Sequence, residues 1–146
     1  MIKTIIFTPE NKPTNQEKTA IVQFLFEHLQ EFGDPKKDIQ KSIEYAIKEF
    51  TSFGGFVMLL KEDEIILGAT VINQTGMGGY IPENILVYIA THQEYRGKGL
   101  GKTLMQTAVS HAKGDVALHV EASNPAIHLY KKIGFTNPYL EMRLKK

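Results

Sequence analysis

The chain has 146 residues, 42% hydrophobic and 23% charged, with a formal net charge of +1 at pH 7. That is the composition of one ordinary globular domain, residues 1–146, with enough apolar material for a core and too little charge to hold a nucleic acid by bulk electrostatics. Cysteine is absent, so a disulfide framework and a thiolate metal site are both excluded, and the five histidines show no H-x-x-x-H spacing, so no metal is expected.

Ile2 to Phe7 is rich in β-formers and reads as a first strand, broken by Pro9. It lacks the apolar length and cleavage site of a signal peptide. No apolar run approaches the 18 or so residues of a membrane span, so a cytoplasmic location and no membrane partner are expected. Thr14-Asn15-Gln16-Glu17 has the capping-box form, a hydroxyl at the cap and a carboxylate three residues on. Ile21, Phe24, Leu25, Leu29 and Phe32 follow at helical spacing, and Gly33 ends the pattern. Asp34-Pro35 opens a second helix with proline at its first position and Ile39, Ile43, Ile47 and Phe50 as its buried stripe.

Phe56 to Lys61, a turn at Glu62-Asp63, and Glu64 to Asn73 predict a hairpin. The glycine-rich stretch from Gln74 to Gly79 is either a plain connector or a flap over a binding site. Ile85 to Thr91 is the next strand, and a helix starts at about Gly99 with Leu100, Leu104, Ala108 and Ala112 on one face. Asp115 to Ala122 is a further strand, with Val116, Leu118 and Val120 on one side. Strand, helix, strand in that order predicts a parallel pair joined by a right-handed crossover. Asn124 to Ile133 reads as a short helix capped by Ser123, and Tyr139 to Leu144 as a last strand.

The turn between Thr91 and the next helix holds Arg96, Gly97, Lys98, Gly99 and Gly101. The first N–H groups of a helix have no partner inside it, and the helix dipole adds positive charge there, so such a turn suits an anion. Glycine lets a phosphate approach the backbone closely. The spacing matches neither G-x-x-x-x-G-K-[ST] nor G-x-G-x-x-G.

Arg96-Gly97-Lys98-Gly99-Leu100-Gly101 resembles the [QR]-x-x-G-x-[GA] acyl-CoA motif of the GNAT superfamily of N-acetyltransferases. Asn124-Pro125-Ala126-Ile127-His128-Leu129-Tyr130-Lys131-Lys132-Ile133-Gly134-Phe135 resembles the family's N-x-x-A-x-x-L-Y-x-x-x-G-F, with Asn124 one residue closer to the alanine than usual. A second departure is Gln93, where many members carry proline. Both motifs lie in the last 60 or so residues, and the first 80 resemble the family only in pattern.

The resemblance implies an α/β (α+β) fold: a mixed sheet of about six or seven strands, about four flanking helices, and a splayed parallel pair. It implies an N-acetyltransferase moving the acetyl group of acetyl-CoA directly to a primary amine of a small molecule or protein, with the two N-terminal helices helping to wall the acceptor site. Gly97, Lys98, Gly99, Leu100, Gly101 and Lys102 would cradle the pyrophosphate, with charge from Arg96 and Lys98. Ile89, Ala90 and Thr91 on one strand, and Glu121 to Asn124 beyond the other, would flank the pantetheine arm, with Asn124 also capping its helix. A strand N–H beside the arm could also stabilise the oxyanion. Tyr130 would reprotonate the thiolate. An amine of pKa about 10.4 must lose a proton, which costs about 4.6 kcal/mol at pH 7. The first candidate base is Glu83, with His92, His119 and Glu121 behind it and ordered water as an alternative. A non-catalytic acyl-CoA sensor and a transferase of longer acyl groups stay open, as do the identity of the acceptor and a homodimer.

Overall fold

The computed structural model describes residues 1–146. Runs of apolar residues build a sheet in the order β1-β2-β3-β4-β5: β1 (Ile2–Phe7), β2 (Gly55–Glu62), β3 (Ile65–Gln74), β4 (Asn84–Thr91) and β5 (Val116–Leu118). The first four pair antiparallel, and β5 joins β4 in parallel. Helices α1 (Asn15–Leu29), α2 (Lys36–Ala46), α3 (Leu100–His111) and α4 (Ile127–Ile133) complete the chain. No helix is long and apolar enough to cross a membrane.

The sheet separates two cores, because successive strand side chains point to opposite faces. Val57, Leu59, Ala69, Val71, Tyr88 and Ala90 meet Ile21, Leu25, Ile39 and Ile43 of α1 and α2 on one face. Phe56, Met58, Leu60, Leu67, Ile72 and Leu86 meet Leu104, Met105 and Ala108 of α3 and Tyr130 of α4 on the other. One irregularity falls in β4. Val71 pairs with Tyr88 and Ile72 with Leu86, so Val87 bulges between them without a partner.

The capping box at Thr14 forms. Glu17 N–H donates to Thr14 Oγ1 at 3.1 Å, and Thr14 N–H donates to Glu17 Oε1 at 2.8 Å. Pro35 stands at the cap of α2, one position before the first helical turn. That helix stops at Ala46, short of Phe50. Lys48 turns left-handed (φ 57°), with its N–H on Tyr45 C=O and the N–H of Glu49 on Glu44 C=O, a Schellman closure that leaves Phe50 exposed. Phe32 falls in a single 3-10 turn, Gln30–Phe32, after α1.

The C-terminal third departs most from the pattern. Five strands form where six or seven are predicted. Residues 139–144 alternate like a strand but pair with nothing, and Tyr139, Leu140, Met142 and Leu144 are more than 80% exposed. β5 stops at Leu118, before His119 and Val120, because no neighbour continues the ladder. Ser123 does not cap α4, which begins only at Ile127. Asn124 instead forms a local turn, its Oδ1 accepting Ala126 N–H at 2.9 Å.

Candidate active site

β4 and β5 pair only at Asn84–Val116, Ile85–Ala117 and Leu86–Leu118. β4 then runs on to Thr91 beside β3 with its other edge unpaired, while residues 119–122 leave the sheet. A rift therefore opens from the Val87 bulge onward. Ile89, Ala90 and Thr91 lie on this unpaired stretch of β4, and Glu121 to Asn124 follow in the segment that has left the sheet.

The glycine turn lies past the open end of β4. Gly97 (φ 84°) and Gly99 (φ 75°) take left-handed conformations, which turn the chain into α3. No side chain caps this helix. The first helical bond is Thr103 N–H to Gly99 C=O, and the N–H groups of Gly97, Lys98, Gly99, Leu100, Gly101 and Lys102 have no partner in the protein. A Cβ at Gly97 or Gly99 would meet nothing within 4 Å, so the space before these amides is open. At Gly101 a Cβ would stand 3.6 Å from Thr91 Cγ2 and 3.5 Å from Leu129 Cδ2, so loop, strand end and α4 converge here. Six free amides, a helix N-terminus and an adjoining rift make a fit for a diphosphate with a long arm.

Two basic side chains flank these amides. Arg96 donates to His28 C=O at 3.0 Å and so staples the loop to α1, and Lys98 lies 5.3 Å over the Tyr95 ring. Beneath the loop, His28 and His92 stack with ring centres 4.3 Å apart, and Tyr95 meets His92 edge-on at 5.0 Å. Buried His28 accepts Gln93 N–H on Nδ1 at 3.2 Å. Burial, then neighbouring His92, lowers its pKa below the usual histidine value. His92 accepts Glu94 N–H on its own Nδ1. A shallow cavity of about 300 Å³ lies beside this pair, lined by α1, the start of β3 and His92.

Tyr130 is 8% exposed, in the core beneath the sheet, with Phe135 edge-on at 6.1 Å. Its hydroxyl has no partner in the protein, although the atom is not sealed from solvent. Burial raises its pKa, so the phenol holds its proton at neutral pH. Gly134 (φ 121°) closes α4 behind it, with Phe135 N–H on Tyr130 C=O at 3.0 Å.

Glu83 sits apart from these groups, before the paired end of β4. Its Oε1 accepts Asp115 N–H at 2.8 Å, and that bond lowers its pKa. Its carboxyl group also lies against Gly78 and Gly114. The Gln74–Gly79 loop stands at this same end, tied down by Thr75 to Pro82 C=O and Glu83 C=O, which suits a connector. His119 and Glu121 are exposed, His119 being 3.9 Å from Glu141. No cluster of three or more His, Asp or Glu residues is arranged to hold a metal ion. Two features were hidden in the sequence, the His28–His92 stack and a bond from Tyr88 to Asp34. His92 was expected only as a candidate base at the strand's end, no local pattern marks the other partners as paired, and the pairs are more than 50 positions apart.

Comparisons with known proteins agree with this geometry. The model of the acetyltransferase (GNAT) family matches residues 20–135. An N-alpha-acetyltransferase of Saccharolobus solfataricus is 32% identical over 133 residues, 87% of this chain and 66% of that protein. A human cysteine-rich protein 2-binding protein is 33% identical over 107 residues, 73% of this chain. The chain spans only 12% of that human protein's length and about two thirds of the archaeal one. A ribosomal-protein-alanine N-acetyltransferase from Brucella melitensis biovar Abortus shares the fold, with a TM-score of 0.69 at 13% identity over 100% of this chain and 99% of that one. A helix N-terminus with six free amides, a parallel pair parting beside it, and a family match across most of its length lead to one conclusion: this chain belongs to the GNAT acetyltransferase family.

Proposed function

We propose that this single domain is an N-acetyltransferase that moves the acetyl group of acetyl-CoA directly to a primary amine of a small molecule or protein. The observation that carries the reading is the row of unpartnered amides from Gly97 to Lys102, opening onto the β4–β5 rift. These amides hold the diphosphate, with Arg96 and Lys98 adding charge at the rim. Ile89, Ala90 and Thr91 present unpaired backbone to the pantetheine amides, as a sheet edge does to an added strand. A backbone N–H near the Val87 bulge polarises the thioester carbonyl.

The ammonium gives one proton to water, the neutral nitrogen attacks the carbonyl carbon, the C–S bond breaks, the thiolate takes a proton from Tyr130, and the nitrogen's surplus proton returns to the phenolate through water. Burial suits Tyr130 to this task by keeping the phenol protonated until a thiolate forms beside it. Water is the proton acceptor in this reading, since Glu83 is engaged with Asp115 at the paired end. Asn124 turns the chain into α4 and thereby sets where Tyr130 stands.

The absence of a carboxylate on β4 from Ile85 to Thr91 favours one alternative, an acyl-CoA sensor without turnover. Thiol release with acetyl-CoA across amines, polyamines and peptides separates the two. Tyr130→Phe is expected to lower kcat by about 10²-fold with coenzyme affinity little changed. An unaltered kcat would reduce Tyr130 to a core residue, and coenzyme binding with no thiol release for any amine would establish the sensor. A longer acyl donor preferred over acetyl-CoA would redefine the group transferred.

A further inference from the structure

The junction between α1 and α2 carries a carboxylate that no cation in the protein neutralises. Asp34 is exposed and takes part in no ion pair. Its Oδ2 accepts the hydroxyl of Tyr88 at 2.5 Å, and its Oδ1 has no partner. The nearby Lys36 is turned elsewhere, donating to Gln23 Oε1 at 2.6 Å and lying 5.1 Å over the Phe26 ring.

Tyr88 is buried in β4, directly after the Val87 bulge, where the rift begins. Burial, then the bond to Asp34 and its charge, with Asp38 adding to it, raises the phenol far above its usual value. The hydroxyl therefore keeps its proton and donates it to Asp34. The side chain stands on the α1–α2 face of the sheet. That helical layer packs on β2, β3 and β4, while the opposite face is filled by α3 and α4. Tyr88 thus ties Asp34 to the strand at the residue where the rift begins, on the face covered by α1 and α2.

A carboxylate favours the charged form of an amine, whereas the attacking nitrogen must be neutral. Asp34 is thus suited to a second cation on the acceptor, not to the reacting one. It stands a tyrosine side chain's length from β4, which calls for an acceptor with two amino groups separated by a short chain. Resting on the transferase reading, we propose that Asp34 selects a diamine: its far ammonium binds the Asp34 carboxylate while its near amine reaches the rift. Tyr88 is a positioning residue that holds the carboxylate. The near ammonium gives one proton to water, the N–C bond forms as the C–S bond breaks, Tyr130 protonates the thiolate, and the nitrogen's surplus proton returns to the Tyr130 phenolate through water. The far ammonium stays charged throughout.

The test compares diaminobutane with butylamine by thiol release from acetyl-CoA, with coenzyme affinity measured in parallel by calorimetry. The wild-type protein is expected to prefer the diamine at least tenfold in kcat/KM, a preference that shrinks with added salt. Asp34→Asn should remove that preference through a rise in KM for the diamine, with coenzyme affinity retained. Tyr88→Phe should raise the same KM less and leave kcat alone. As Asp34 is exposed, Asp34→Asn decides the matter if Tyr88→Phe proves poorly folded. Turnover of both amines at equal efficiency, or a diamine preference surviving Asp34→Asn, overturns the assignment of Asp34 while the transferase reading stands. Absence of coenzyme binding by the wild-type protein overturns both.

Discussion

Gly99 bears two requirements at once, a left-handed φ of 75° and an open approach to the amides behind it. Gly99→Val is expected to cost about 1–2 kcal/mol of stability through backbone strain alone. Its larger effect falls on the coenzyme, since a branched side chain would fill the space before the amides. Calorimetry should find at least a tenfold loss of acetyl-CoA affinity, and unchanged affinity would remove the loop from the site. His28 offers a second prediction. Its pKa in the folded protein lies below that of the unfolded chain, about 6.5, so the unfolded chain binds more protons once the pH drops through that value. Stability is therefore intact above about pH 6.5 and falls as the pH drops below it. Protonation of Nδ1 also removes the acceptor for Gln93 N–H beside the loop. Melting temperature against pH should show this acid limb, and His28→Asn, which keeps an acceptor that does not titrate, should flatten it.

At the scale of the element, local signals and buried stripes act together. Thr14→Ala removes one half of the capping box and should cost about 1 kcal/mol, read as a lower denaturant midpoint with unchanged slope. Leu25 is fully buried where α1 meets the sheet. Leu25→Ala should cost about 2–5 kcal/mol, the range for a core leucine. The ends of α2 and α4 show how far local pattern carries. Both close by Schellman motifs, one at Gly134 and one at Lys48. Glycine announces the first in the sequence; lysine is silent about the second, so the stripe through Phe50 reads as helix when the chain has already turned away.

For the whole molecule, the parting of β4 from β5 leaves a strand edge without a partner in the protein. A coenzyme bound at 100 times its Kd would add about 2.7 kcal/mol. For a domain of this size that is about 5–10 °C in melting temperature. A shift of that size with acetyl-CoA, cut to about half or less in Gly99→Val at the same concentration, would link the rift and loop as one site. Free adenosine diphosphate should give a smaller shift, because it occupies the loop without the rift.

Much of the fold was legible because it rests on short-range signals. Runs of apolar and β-forming residues marked β1 to β4, the Thr14 box and the α3 stripe marked helices, and the glycine turn with the Leu129-Tyr130 segment carried the resemblance that the family match upholds. Amides at a helix start depend on neighbours in sequence, so their availability could be expected from residues 96–102 alone. What the tertiary structure decided are the relations that depend on long-range partners. Residues 119–122 and 139–144 have strand-like sequence but no strand beside them, and a strand exists only where another backbone completes its hydrogen bonds. The position of Glu83 at the paired end, the His28–His92 stack and the Tyr88–Asp34 bond likewise arise from contacts across the sheet, which no local pattern encodes.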